Sequence, residues 1–445
     1  MMKAYICFFA LCLLLILPAI GLQDTVIELK IMDYSMDSEM ASLFMEENSN
    51  VKITIQNGDN GISDTQTLLQ ELITGGTDYD IFRINTSGFN FTELMEREFC
   101  VELDDAFIKE SVKDMYPAIQ NAISYNGKIY AVPCSAFVFT DIYHGNILEE
   151  MGLTESILPE TFEDYCNLYL IWEKLSEDVQ EEYTLLPTED SKDWLLSTLM
   201  EQYLLYNNFE GKELRYDTTL FRESLNLLES VSSQFDEALK NAEYKRTLFT
   251  NSGSDPFVPG SIVNPIRLFK GAPVLVAGRL TAYIINPLSN HIDTAKAFVR
   301  FALENMTDLD KAAIYQTWDQ PIPNDEAKAY MDDVLTPQKN ALVEQLELAD
   351  DAEKKSIQDN IDKIQYRIEL EKLFLYNVSP DMLARYKACI GPNLVILKPG
   401  MYGADGTTGD TLDTVVRRYL HGEIDCEVFI QELDQKIMMF EMENI

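Results

Sequence analysis

Short blocks of alternating apolar and polar residues occur between residues 26 and 84, and their period changes between that of a strand and that of a helix. Residues 26–32 (VIELKIM), 51–55 (VKITI) and 79–84 (YDIFRI) have the pattern of strands. Residues 38–47 and 65–73 have helical spacing, and the second run stops at a pair of glycines, residues 75–76. Strands that alternate with helices predict a parallel α/β sheet with helices on both faces.

Two loops follow predicted strands of this sheet and are rich in polar residues. They are residues 33–36 (DYSM) and 85–88 (NTSG). In open α/β sheets, ligands bind outside the carboxyl ends of the strands. These loops are therefore the first candidates for a ligand site, with polar loop caps that bind nothing as the alternative.

A charged segment over residues 336–376 has one apolar stripe. Ile357, Ile361, Ile364 and Ile368 follow one another at steps of four, three and four residues, which is typical of one helix face. The pattern predicts a helical hairpin that packs on the protein itself. A coiled-coil surface for a partner is the alternative.

The N-terminus begins with a short basic start and a long apolar run. Lys3 precedes an uninterrupted apolar segment from Ala4 to Leu17, and Pro18, Ala19 and Gly21 fit a processing site. We predict a signal peptide over residues 1–23, with an uncleaved anchor as the alternative. The segment contains no cysteine at the position that a lipoprotein requires. The expected location is thus periplasmic or extracellular and associated with the cell surface.

Composition narrows the possible partners and cofactors. A formal charge of −39 opposes binding to nucleic acid and to anionic lipid surfaces. The histidines are isolated and no C-x-x-C pair exists, so we predict no metal site and no cofactor. An odd number of cysteines follows the predicted leader, which makes a disulfide framework improbable: Cys100, Cys134, Cys166, Cys389 and Cys426.

Sequence signatures of common enzymes are missing from the chain. It has no G-x-S-x-G, no P-loop and no G-x-G-x-x-G after a strand. The turn at residues 403–410 is glycine-rich and acidic but lacks the ligand spacing of a calcium loop. The sequence does not rule out two carboxylates that lie close together in the folded protein, which is the arrangement of a glycoside hydrolase.

Several segments resemble one family in the same order along the chain. They are residues 76–81 (GTDYDI), 127–133 (GKIYAVP), 147–153 (ILEEMGL), 158–164 (LPETFED), 277–289 (AGRLTAYIINPLS) and 319–324 (DQPIPN). Together they resemble the extracellular (family 1) solute-binding proteins of ABC transporters, above all the carbohydrate-binding group that includes maltose-binding protein. The resemblance covers most of the chain after residue 23.

This resemblance implies a two-lobed, type II periplasmic-binding-protein-like α/β fold with a helix-rich C-terminal part. Hinge strands are expected near Val132–Ser135 and Val276–Tyr283, with a third link near Gln320–Asn324. Lobe 1 would comprise residues 24–133 and 280–320. Lobe 2 would comprise residues 134–279 and 321–445 and would carry the hairpin at 336–376. The lobes would close over a solute.

Sugar recognition needs flat apolar rings and planar polar groups. By position along the predicted fold, we expect ligand contacts from both lobes: Tyr34, Arg83, Asn85 and Ser87 from the first, Phe137 and Tyr143 from the second, and Trp194, Arg279 and Trp318 as more distant candidates.

The resemblance predicts a function without catalysis. The chain would be a monomeric substrate-binding protein that captures a mono- or oligosaccharide and delivers it to ABC permease subunits. Two alternatives are a ligand-sensing subunit of a membrane receptor and a secreted glycoside-acting enzyme. Neighbouring permease or sensor-kinase genes would separate import from sensing, and turnover of a glycoside would indicate an enzyme.

Overall fold

A computed structural model describes residues 26–35, 38–57, 62–186, 191–239, 245–251, 257–350, 353–397 and 411–443. The predicted signal peptide at 1–23, Met36 and the turn at 403–410 lie outside these residues. Within them, no helix combines the length and apolar character needed to cross a membrane.

Fifteen strands are present in the described residues. They are β1 (Ile27–Asp33), β2 (Val51–Gln56), β3 (Ile81–Asn85), β4 (Ser124–Tyr125), β5 (Lys128–Ile129), β6 (Ala131–Phe139), β7 (Asp141–His144), β8 (Tyr183–Thr184), β9 (Arg246–Thr247), β10 (Phe249–Asn251), β11 (Ser261–Val263), β12 (Val276–Ile285), β13 (Ile322–Pro323), β14 (Tyr376–Val378) and β15 (Leu394–Ile396).

The α-helices alternate with these strands along the chain. They are Glu39–Glu47, Thr65–Thr74, Phe91–Glu96, Ala106–Lys113, Pro117–Ala122, Gly145–Glu150, Phe162–Cys166, Tyr169–Trp172, Glu177–Glu182, Ser191–Phe209, Thr219–Ala238, Ile292–Glu304, Asp308–Ile314, Asp325–Tyr330, Thr336–Leu348, Lys354–Lys372, Pro380–Arg385, Thr411–Leu420 and Cys426–Glu443. The predicted α/β class is confirmed.

The main sheet has the strand order β15-β12-β3-β1-β2, and β6 pairs with β12. Strands β1, β2 and β3 are parallel, as the alternation of strands and helices predicts. Strand β12 runs antiparallel to β3 and to β6, so the sheet is mixed and not purely parallel. A separate small sheet has the order β10-β7-β11.

The predicted helix at 65–73 forms because both of its ends are capped. The Asp64 carboxylate accepts a hydrogen bond from the backbone N–H of Thr67 at 2.9 Å, which completes a capping box. Gly75 ends the helix with φ of 65°, a left-handed conformation that favours glycine. The glycine pair at 75–76 thus stops the helix as its sequence predicts.

Two hydrophobic cores divide the molecule. The first contains Leu29 to Val138, Leu280 to Ile314 and Val378 to Leu394 among its buried residues, and the second contains most of those from Tyr143 to Leu275 together with Leu397 to Ile437. The chain therefore changes core where β6 ends, where β12 begins and where β15 ends.

The third change of core differs from the expected position. We predicted a link near Gln320–Asn324, but the chain passes from the first core to the second between Leu394 and Leu397. The segment 378–394 belongs to the first core although we assigned 321–445 to the second lobe. Its anchor is Tyr386, whose ring lies 5.8 Å from that of Tyr116 and whose hydroxyl donates to the Ala313 carbonyl at 2.9 Å.

The predicted hairpin is present as helices Thr336–Leu348 and Lys354–Lys372, which pack on each other. Of the apolar stripe, Ile361 and Ile368 are buried, whereas Ile357 and Ile364 are half-buried. The stripe therefore covers a short contact within the protein.

Candidate functional site

One face of the main sheet carries a partly exposed polar strip at the junction of the two cores. On β12, Arg279 and Thr281 lie on this face, and the intervening Leu280 is buried on the other. On β3, Arg83 and Asn85 alternate with the buried Ile84 in the same way. This pattern follows from the two-residue period of a strand.

Strand register brings the members of the strip together. Thr281 of β12 lies between Asn85 of β3 and Ser135 of β6, and Arg279 lies opposite Phe137 of β6. Directly paired residues are close enough to bind one ligand. We call the following set the polar strip: Asp33, Arg83, Asn85, Ser135, Phe137, Arg279 and Thr281.

Arg83 is held in an ion pair at the end of β1. Its Nη1 lies 3.0 Å from Oδ1 and 3.1 Å from Oδ2 of Asp33, and its Nε donates to the Cys134 sulfur at 3.3 Å. The two charged side chains are only 14% and 4% exposed. Asp33 therefore neutralises Arg83 and also accepts hydrogen bonds from the backbone and hydroxyl of Ser35.

Asn85 shapes the loop that follows β3. Its side-chain oxygen accepts hydrogen bonds from the Ser87 backbone at 3.1 Å, the Ser87 hydroxyl at 2.7 Å and the Gly88 backbone at 3.0 Å. This is the turn that asparagine side chains commonly make with their own backbone. The predicted residues Asn85 and Ser87 are thus close together, and both stabilise this loop.

The other predicted residue of the first lobe is Tyr34, which follows β1. Its ring is 38% exposed and lies 6.4 Å from that of Phe89, and its hydroxyl donates to the Ile62 carbonyl. Tyr34 is thus partly exposed at the end of β1, beside the strip.

Arg279 and Phe137 form the opposite end of the strip. The guanidinium carbon of Arg279 lies 4.7 Å from the centre of the Phe137 ring and 5.7 Å from that of Phe139. Phe137 is half-buried and belongs to neither hydrophobic core, whereas Phe139 packs against the second. The Phe137 ring therefore packs in neither hydrophobic core and can contact a ligand.

Two buried polar atoms of the strip have no hydrogen-bond partner among the described residues. They are the Ser135 hydroxyl oxygen and Nε of Arg279. Buried polar atoms in native proteins nearly always have a hydrogen-bond partner. Two such atoms without a partner on one sheet face therefore indicate a place where a ligand can supply the missing hydrogen bonds. Sequence reasoning missed Ser135 and Thr281, because short hydroxyl side chains inside apolar strands give no signal of their own.

Three predicted aromatic residues lie elsewhere. Tyr143 is 1% exposed in the second core, where its hydroxyl donates to Glu155 at 2.9 Å. Trp194 packs on the second core, and Trp318 packs on the first and donates to the Gln320 carbonyl at 2.8 Å. Their large apolar surfaces are used for packing, so the strip does not include them.

Trp194 belongs to a buried polar chain. Its indole N–H donates to the Tyr165 hydroxyl at 2.6 Å, and Tyr165 in turn hydrogen-bonds to Asp141. Burial raises the pKa of the Asp141 carboxyl to about 7, and the hydrogen bond from Tyr165 opposes the shift. This chain lies directly after β6, where the backbone enters the second core.

A cavity of about 420 Å³ lies where the two cores meet beside the end of the hairpin. Its second-core side comes from β7, β11 and the helix that begins at Gly145, and its other side comes from the segment 372–385. Asn146, Ser261, Tyr376 and Arg385 supply polar groups to its wall. Sequence reasoning missed this cavity because one wall is built from the far end of the inserted hairpin.

The described residues contain no group of three or more His, Cys, Asp or Glu side chains arranged to hold a metal ion. The cysteines Cys100, Cys134, Cys166, Cys389 and Cys426 are all unpaired thiols.

Comparison with known proteins identifies the architecture. No protein-family model matches the chain, and no curated protein matches it. A sugar transporter from Rhizobium etli in an open conformation superposes with a TM-score of 0.56 at 14% identity over 93% of this chain and 99% of that one. The chain has the fold of ABC solute-binding proteins. The cyclic alpha-maltosyl-1,6-maltose binding protein of Arthrobacter globiformis gives 0.56 at 13% identity, with 92% and 98% covered.

The sugar-binding protein MalE from Xanthomonas citri gives a TM-score of 0.54 at 13% identity, with 92% of this chain and 96% of that one covered. Nearly the full length of each solved structure is matched, so both lobes belong to the shared fold. The two hydrophobic cores agree with a two-lobed fold, but the segment 378–394 lies in the first core and not in the second lobe to which it was assigned.

Proposed function

We propose that this protein is the extracytoplasmic substrate-binding protein of an ABC importer and that it holds a mono- or oligosaccharide between its lobes. The observation that carries the proposal is the polar strip, in which Ser135 and Arg279 have unmade hydrogen bonds beside the uncommitted ring of Phe137. A flat ring next to polar donors suits a sugar, which has apolar faces and a rim of hydroxyl groups.

The fold supports closure over the solute. The strip lies where strands β6 and β12 pass between the cores, so a bend of these strands would change the distance between the second lobe and the loops at Tyr34 and Asn85. Contacts from both lobes then favour the closed state, because a ligand stabilises the conformation that it binds better. The closed state is the form that permease subunits would recognise.

Export and a monomeric state are part of the same proposal. The predicted leader at residues 1–23 supports export, and the formal charge of −39 favours a dispersed, soluble chain. The named structural neighbours are sugar-binding or sugar-transport proteins, which agrees with capture without chemical change.

Thermal unfolding with a panel of neutral and acidic saccharides, alditols, amino acids and peptides tests the proposal. A ligand at a hundredfold excess over its Kd adds about 2.7 kcal/mol to the free energy of unfolding. We expect a higher Tm with saccharides and unchanged saccharide by chromatography. Consumption of the sugar, or a response to peptides alone, would contradict the proposal.

A matched pair of variants locates the site. Phe137→Ala removes the ring beside Arg279, and Phe107→Ala removes a comparable phenylalanine that lies 5.5 Å from the guanidinium of Arg300 on the surface of the first lobe. We expect the first variant to lose about half of the Tm shift or more and the second to retain it. Equal responses of the two variants would place the saccharide elsewhere.

A further inference from the structure

Arg279 differs from its neighbour Arg83 in how its charge is balanced. Asp33 neutralises Arg83, whereas the described residues give Arg279 neither an ion pair nor a side-chain hydrogen bond. The strip contains the charges of Asp33, Arg83 and Arg279, so one positive charge is left without compensation.

This lack of a carboxylate is unusual in so acidic a chain. The sequence has 74 Asp and Glu residues against 35 Lys and Arg residues, so acidic partners are plentiful. Most of the described arginines contact a carboxylate: Arg83, Arg97, Arg215, Arg222, Arg246, Arg300, Arg385, Arg417 and Arg418. Arg279 lies on the strip without one.

Phe137 and Phe139 hold the guanidinium in place without satisfying its donors. An aromatic face attracts a cation, but the N–H groups of a guanidinium lie in its own plane and need oxygen acceptors. Nε of Arg279 is buried and lacks such an acceptor. A planar anion in front of Arg279 would accept two parallel hydrogen bonds, which is the arrangement that guanidinium favours.

We propose that the solute is an acidic saccharide and that Arg279 binds the carboxylate of a uronate unit. The Ser135 hydroxyl, two strand positions from Phe137 on the same face, supplies a further donor, and the Phe137 ring contacts the sugar face. This inference rests on the proposed function and adds the chemical class of the ligand.

The net negative charge of the protein does not prevent this recognition. Charges on the surface are screened over about 8 Å at physiological ionic strength, whereas a contact inside a closed cleft is screened much less. Long-range repulsion slows the encounter, and the local charge of Arg279 determines which solute stays bound.

Calorimetric titration of the purified protein with paired sugars tests the inference. The probes are gluco-, galacto- and manno-configured mono- to tetrasaccharides, each as the neutral sugar and as the uronate. A hydrogen bond to a charged group corresponds to about 10- to 100-fold in affinity. We expect the uronate to bind tighter than its neutral counterpart by that factor.

Three arginine variants test whether Arg279 causes the preference for uronate. Arg279→Gln should weaken the uronate far more than the neutral sugar and so remove the preference for uronate, because the charge-assisted bonds are lost. Arg279→Lys should restore part of the preference. Arg367→Gln is the control, since that arginine also lies over an aromatic ring, Tyr330 at 5.6 Å, but on the hairpin.

The outcomes separate this inference from the proposed function. If neutral sugars bind and uronates do not, or if Arg279→Gln keeps the uronate preference, the acidic-saccharide inference is overturned and the binding function stands. If neither class binds, the binding function fails and takes the inference with it.

Discussion

The ion pair between Asp33 and Arg83 allows a quantitative test of how the first lobe is held together at the strip. Replacing Asp33 with Asn keeps the side-chain volume and removes the negative charge. The guanidinium, which contacts both carboxylate oxygens at 3.0 and 3.1 Å, then remains in a site where its side chain is only 14% exposed.

Removal of one partner from a buried ion pair costs about 3–5 kcal/mol, because the remaining charge lacks compensation. Arg83 keeps its contacts with Ser35 and Cys134, and the Asn side chain still has one carbonyl oxygen. We therefore expect Asp33→Asn to lower the free energy of unfolding by about 3 kcal/mol, at the lower end of that range.

Urea unfolding followed by circular dichroism measures this loss, and hydrogen exchange of the β3 peptide localises it. Asp104→Asn serves as the control, because Asp104 pairs with Lys296 at 2.8 Å on the surface with 68% of its side chain exposed. The control should have nearly the same free energy of unfolding as the unmodified protein.

A double variant tests the cause. In Asp33→Asn with Arg83→Met the uncompensated charge is gone, so we expect stability to recover to within about 1 kcal/mol of the starting protein. The reasoning is refuted if Asp33→Asn behaves like the surface control, or if the double variant is no more stable than the single one.

Three further predictions concern the crossing strands and the second core. Phe137→Ala should weaken saccharide binding by roughly tenfold or more at constant Tm, whereas Phe139→Ala should lower Tm, because only Phe139 packs on a core. Trp194→Phe should cost about 1 kcal/mol in urea unfolding through the lost bond to Tyr165, with unchanged affinity in calorimetry. Asp141 has a raised folded-state pKa of about 7 against 3.8, so it stays protonated when the unfolded chain has lost the proton. Stability should therefore fall as pH rises from 4 to 7, by up to about 1.4 kcal/mol per unit, and Asp141→Asn should remove this slope in urea titrations at several pH values.

Sequence periodicity accounts for much of the first lobe. Strands β1, β2 and β3 and the helix that ends at Gly75 form where alternation and capping predict them. The two-residue period of a strand also places Arg83 and Asn85 on one face of β3 and Arg279 and Thr281 on the corresponding face of β12. The local pattern is sufficient to predict which of these residues share a face, because alternate residues of a strand point to opposite faces.

Other features depend on register and packing that no local pattern contains. Ser135 joins the strip only because β6 pairs antiparallel with β12 in the register that places Ser135 opposite Thr281. Tyr143 and Trp194 have the aromatic character of sugar-binding residues, but tyrosine and tryptophan also fill cores, and the side-chain type does not distinguish the two.

The third crossing was misplaced for a similar reason. The residues at 320–324 precede the hairpin, and the true crossing at Leu394–Leu397 follows it, so the insertion separates two segments that pair as β13 and β14. Nothing in the sequence spacing identifies which side of an inserted hairpin carries the connection.

The three crossings have a mechanical consequence because they are neighbours in one sheet. Val138, Gly278 and Ile396 lie side by side on β6, β12 and β15 at the level where the chain changes core. Sliding any one strand along another would break the hydrogen bonds that join them, whereas a common bend leaves the ladder intact. Because the three crossing strands are bonded side by side, we expect the lobes to open and close by one cooperative bend of all three and not by independent movements of each.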